Sequence, residues 1–128
     1  MIAAAVVDGR VASASRTDYA EAAARVLVGE GHAGKTYELT GTKAWDYREL
    51  AAAASEILGR AVVFKSLTVD ERRKGLLAGG LPEGVAGFVT SLDQAIEAGS
   101  LSEARGDLEK LLGRKPLSLK DGLMATLA

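Results

Sequence analysis

Lys35-Thr36-Tyr37-Glu38-Leu39-Thr40, with Gly34 before it and Gly41 after it, is the stretch on which the fold turns. Its side chains alternate, β-formers stand at 36, 37 and 40, and the flanking glycines mark turns, so it reads as a strand. Downstream, Trp45-Asp46-Tyr47-Arg48-Glu49 opens a helix. Asp46 and Glu49 have the spacing of a capping box, and Leu50, Ala53, Ala54, Ile57 and Leu58 recur at helical spacing until Gly59. Upstream, Ser15 or Thr17 caps another helix, with Asp18 in its first turn and Tyr19, Ala20, Ala23, Ala24 and Leu27 as its apolar face. Helix, strand and helix in this order are the alternation of an α/β protein.

The same reading extends to both ends. The segment 9–14 alternates small apolar and polar residues and is a second short strand, and 61–67 is a third. Thr68 and Glu71 cap a short charged helix that reaches Ala78. Pro82 sits in the first turn of a helix ending near Ala98, whose buried face is Val85, Phe88, Val89, Leu92 and Ile96. A short helix spans 107–112, stopped by Gly113 and Pro116. Ser118 and Asp121 cap a last one carrying Leu119, Leu123, Met124 and Leu127. The expectation is an α/β, helix-dominated unit over residues 1–128, with about three short strands and six helices. Met1–Val7 is apolar but short for a secretory signal and has no basic segment. It reads as a frayed or edge segment, or as the interior of a longer protein.

Composition narrows the function. A chain of 128 residues suits one domain of ordinary size. Lys and Arg number 16 against 17 Asp and Glu, a net charge of −1, which gives no general grip on nucleic acid or anionic lipid. With no cysteine there is no disulfide, thiolate zinc site or cysteine nucleophile. No apolar run approaches the length of a membrane span, and a cytoplasmic location is expected. Alanine is the most abundant residue, and only two Phe, three Tyr and one Trp supply large rings. Alanine buries little area, so the core is thin for a chain that is 48% hydrophobic.

Few residues carry chemistry. His32 is the single histidine and lies in a glycine-rich loop, with no partner at metal-ligand or triad spacing, so no metal site is expected. Gly29-x-Gly31-x-x-Gly34 has the literal spacing of a dinucleotide fingerprint, but a helix precedes it and a strand follows it, the reverse of what pyrophosphate binding needs. Arg72-Arg73-Lys74 reads as the wet face of a short helix. Trp45 reads as an anchor for the entry of its helix. Arg16 stands between an extended segment and a helix, a place where α/β sheets bind ligands, and could meet an anionic or carbonyl oxygen. It could equally be a solvated arginine at a helix start.

Several of these stretches carry a resemblance. Arg10 to Leu27 (RVASASRTDYAEAAARVL), Gly34 to Ala51 (GKTYELTGTKAWDYRELA), Leu81 to Val85 (LPEGV) and Glu109 to Lys120 (EKLLGRKPLSLK) resemble the C-terminal portion of the NmrA-like, atypical short-chain dehydrogenase/reductase family. The likeness is greatest to its bacterial NAD(P)H:quinone oxidoreductase members. It covers nearly all of this chain but only the later part of the family's protein. The resemblance implies a Rossmann-type fold, NADP as cofactor, hydride transfer to a quinone without flavin, and a substrate-side helical lobe. It places Arg16 and Thr17 at the segment bordering the cofactor and substrate cleft. The family's Gly-rich cofactor loop is not matched, which implies an inactive isolated chain. A non-catalytic NADP-sensing or protein-interaction module is the alternative. Late strands without the rest of their sheet would leave edges uncovered, to be covered by a second copy or a separate Rossmann-type chain.

Overall fold

The computed structural model describes residues 1–127. The chain order is β1 (Ile2–Ala4), β2 (Arg10–Val11), α1 (Arg16–Val28), β3 (Trp45–Asp46), α2 (Tyr47–Leu58), β4 (Phe64–Ser66), α3 (Val69–Ala78), α4 (Glu83–Glu97), α5 (Asp107–Leu112) and α6 (Leu119–Leu127). All six helices lie where their caps and spacing predict. Asp46 with Glu49, and Thr68 with Glu71, close complete capping boxes. Ser15 accepts the Asp18 N–H and Ser118 accepts the Asp121 N–H. Each such bond satisfies an amide that the first helical turn leaves without a partner.

The described residues form two compact units. The first comprises Met1–Val11 and Asp46–Ser102. In it β1 and β4 pair in parallel, Ile2 opposite Phe64 and Ala4 opposite Ser66. The N-terminal segment is therefore a strand rather than a frayed start, and its partner lies too far along the chain for a local pattern to reveal it. Ala4, Val6 and Ile96 form the core, with Val11, Tyr47 and Phe64 packed against it. Asp93, on α4, is buried; it accepts the Ala5 N–H at 2.9 Å and pairs with Arg72 Nε at 3.2 Å. Arg72 is thus an internal tie, unlike its neighbours on the basic run. Glu97 accepts the N–H groups of Val7, Asp8 and Gly9, at 2.8, 3.2 and 3.0 Å. The turn runs so close to α4 that a Cβ on Gly9 would lie 2.6 Å from the Ile96 carbonyl oxygen.

The second unit comprises Ala12–Trp45 and the residues from Glu103 onward. Its core is Ala22, Leu108 and Leu112, with Ala14, Tyr19, Leu39 and Leu111 around them. Ala22 on α1 is small enough to let α5 approach closely and cover it completely.

Several predicted features differ: the strand expected over 9–14 shortens to β2, and Trp45–Asp46, expected to open a helix, form β3 just before it. Residues 35–40 run without turn or bend but join no ladder. The Glu38 N–H is instead held by the Asp107 carboxylate at 2.9 Å, and the Arg105 N–H is held by Thr40 Oγ1 at 2.7 Å. The third predicted strand shortens to β4. The helix faces differ in part: α1 buries Asp18 and Ala22 and leaves Leu27 84% exposed, while α4 buries Ile96 as expected but with Ala86, Thr90 and Asp93, and leaves Phe88 68% exposed. On each helix the inward face carries an aspartate that accepts a distant backbone amide, Leu117 N–H at Asp18 and Ala5 N–H at Asp93.

Candidate functional site

The site grows from the loop 12–15 and the first turn of α1. Gly41 supports it from below: its N–H donates to the Ala12 carbonyl at 3.0 Å, and a Cβ at 41 would lie 2.1 Å from the Ser13 carbonyl oxygen. Trp45 Nε1 donates to Ser13 Oγ at 2.7 Å, so the predicted anchor of a helix entry also fixes this loop. Ser15 then caps α1 and presents Arg16 and Thr17, both exposed, on its first turn.

Asp18 holds the opposite wall. Its carboxylate is 1% exposed and accepts Arg114 Nη2 at 2.7 Å and the Leu117 N–H at 2.8 Å. Burial opposes its charge, but the Arg114 hydrogen bond, the Leu117 N–H, the Arg114 charge and Ser15 together outweigh burial and hold the carboxyl below the ordinary aspartate value. Arg114 also binds Glu21, one turn along α1. This tie sets the chain leading into α6 against the start of α1.

Between them lies a groove of about 290 Å³. Leu117, Leu119 and Leu123 supply apolar wall; Ser13, Arg16 and Thr17 supply polar groups. Among the described residues the Arg16 guanidinium has no hydrogen-bond or ion-pair partner. An apolar groove with a free cation and hydroxyls at its mouth suits a flat, largely apolar molecule bearing an anionic or carbonyl oxygen. Arg16 and Thr17, neighbours in the sequence, both line this groove. Asp18, Arg114 and α6 were not legible as parts of the site, because 96 residues separate Asp18 from Arg114.

Other candidates lie elsewhere. His32 Nδ1 meets the Tyr37 hydroxyl at 2.6 Å. Among the described residues no cluster of three or more His, Cys, Asp or Glu could hold a metal, and no helix is long and apolar enough to cross a membrane. Nor do these residues contain a strand, Gly-rich turn and helix in the order that cradles pyrophosphate. The glycines at 29, 31 and 34 follow α1 and lead into the unpaired 35–40 segment. A complete dinucleotide does not fit the residues present.

These elements make a helix-dominated α/β chain whose second unit carries a ligand-sized groove. No family model matches the chain. It is 38% identical to quinone oxidoreductase 2 of Escherichia coli over 116 residues, 91% of this chain and 41% of that protein. The crystal structure of the E. coli NADPH-dependent quinone oxidoreductase complexed with NADPH superposes with a TM-score of 0.93 at 35% identity, over 99% of this chain and 45% of that one. The Citrobacter sp. triphenylmethane reductase complexed with NADP(H) gives 0.91 at 35% identity, over 97% and 43%. The chain is similar over nearly its whole length to these NADPH-linked reductases, and spans less than half the length of the relatives it matches.

Proposed function

We propose that residues 1–128 are the C-terminal, substrate-side lobe of an NAD(P)H-dependent oxidoreductase whose reaction passes hydride to a quinone, with NADP as the linked cofactor. The observation that supports this reading is the continuous likeness, over 99% of the chain, to a quinone oxidoreductase solved with NADPH. The groove adds a chemical reason, since a quinone is a flat apolar ring bearing carbonyl oxygens. In this reading Arg16 and Thr17 border the cleft. Arg16 donates to a substrate or cofactor oxygen, and Thr17 donates a second hydrogen bond. The leucine wall excludes water from the ring. No hydride step is assigned to residues of this chain, because they do not form a dinucleotide cradle. A cytoplasmic location accompanies the reading.

The test is a chimera in which this chain replaces the matching portion of the E. coli quinone oxidoreductase. The isolated chain is expected to show no quinone-dependent oxidation of NADPH, and the chimera to show it. Arg16→Ala in the chimera is expected to lower kcat/KM by about 10- to 100-fold, the loss of one charged hydrogen bond. Turnover by the isolated chain would overturn the reading. NADPH binding by the chimera without turnover would favour the sensing module instead.

A further inference from the structure

The polar groups around the groove divide by what they still have to give. On the α6 wall Ser118 is closed onto Asp121: its Oγ donates to the carboxylate at 2.8 Å and accepts the N–H at 3.1 Å. Thr126 Oγ1 donates to the Leu123 carbonyl at 2.7 Å. On the α1 wall Ser13, Ser15, Arg16 and Thr17 keep protons for which the described residues supply no acceptor. No carboxylate and no imidazole stands among the described lining residues. The groove is therefore rich in donors and poor in strong acceptors.

Ser13 differs from the other hydroxyls of the α1 wall. Ser15 Oγ serves the helix locally, accepting the Asp18 N–H. Thr17 has no partner among the described residues to hold its rotor. Ser13 Oγ instead accepts from Trp45 Nε1 at 2.7 Å, short for an N–H···O bond, from a residue 32 positions away that does not line the groove. A hydroxyl whose oxygen accepts a hydrogen bond has one lone pair fewer to offer and becomes a stronger donor. The backbone is fixed as well, because Gly41 packs so tightly on the Ser13 carbonyl that it has no room for a Cβ. Ser13 thus offers a placed proton rather than a free rotor.

We propose that Ser13 is a specificity-determining donor of this groove. With its oxygen held by Trp45, it gives its proton to a ligand carbonyl, and the groove prefers a quinone to the hydroquinone formed from it. The proposal rests on the reading of the groove as a quinone site. Adding a hydride and a proton to a quinone turns its two carbonyl oxygens into hydroxyls. Each new O–H needs an acceptor, and this wall meets it with donors. Discrimination of this kind comes from the polar group that is left unpaired with the wrong ligand. The reduced product is held less tightly than the substrate and leaves.

Anaerobic isothermal titration of the chain with 1,4-naphthoquinone and with 1,4-dihydroxynaphthalene tests this, and no cysteine is present for the quinone to alkylate. The quinone is expected to bind about 5-fold or more tightly than the hydroquinone. Ser13→Ala should weaken the quinone by about 3- to 10-fold and the hydroquinone by less than about 2-fold, so that the ratio falls. Ser13→Thr, which keeps the hydroxyl, should keep the ratio. Trp45→Phe should lower the ratio with Ser13 in place, and it carries the comparison even where Ser13→Ala does not melt cooperatively. Equal binding of the two forms by the unaltered chain, or binding of neither, overturns the proposal. So does a Ser13→Ala variant that weakens both forms alike, which would make Ser13 only an acceptor for the indole. A chimera that reduces quinone while Ser13→Ala leaves the ratio unchanged sinks this inference alone. Ratios that change as expected beside an inactive chimera sink the functional reading alone.

Discussion

At the scale of residues, two positions decide whether the groove keeps its form. Gly41 allows the chain to pass against the Ser13 carbonyl, and any Cβ there forces one of the two backbones to move. Gly41→Ala is expected to cost about 1–3 kcal/mol, the usual cost of overpacking. It should also shift the fluorescence of Trp45, the only tryptophan, because the Ser13 loop bonded to it is displaced. Asp18 is the other position. Replacing it with Asn keeps the shape but removes the charge that Arg114 faces, and a loss of about 1–3 kcal/mol in chemical denaturation is expected. An unchanged midpoint would show that the buried pair contributes nothing net.

At the scale of elements, burial separates helices that look alike in sequence. Leu108 on α5 is fully buried between α1 and its neighbours, so Leu108→Ala should cost about 2–5 kcal/mol. Phe88 on α4 is 68% exposed, so Phe88→Ala should change stability by less than about 0.5 kcal/mol. The sequence alone ranks these two the other way, because a phenylalanine at helical spacing is the stronger core signal. Thermal unfolding of the two variants side by side distinguishes the rankings. The helices themselves were legible because their evidence is local. A cap and its acceptor stand three residues apart, and apolar positions repeat within a turn. The face that turns inward was not, because the Ala5 amide that Asp93 accepts lies 88 residues away.

At the scale of the whole molecule, acid sensitivity follows from carboxylates in both units. Asp18 and Glu21 are held below their ordinary values, Asp18 against the opposing effect of burial, Glu21 through Arg25 and Arg114. Glu97 is lowered by the Val7 N–H first, against burial, and then by the N–H groups of Gly9 and Asp8. A carboxyl with a depressed folded-state value stabilises fully above its unfolded value, about 3.9–4.3, and loses that contribution as pH falls through the folded value. The melting temperature is therefore expected to be flat above about pH 5 and to fall below about pH 4. Asp18→Asn should make the fall shallower, which a pH series of melting curves would show. A melting temperature unchanged from pH 6 to pH 2 would contradict this electrostatic account.

The sequence by itself determined the six helices, their caps and stops, the α/β class, and the place of Arg16 and Thr17 at a helix start. All of these depend on residues within a few positions of one another. Only the tertiary structure decided that Met1–Val7 contains a strand, that residues 35–40 remain without a ladder, and that α6, its lead-in tied to Asp18 through Leu117, walls the groove beside Arg16. Strand pairing and buried ion pairs join residues tens of positions apart, and a strand pattern states only a readiness to pair. Whether it pairs depends on the presence of a neighbour, and that is a property of the assembled fold.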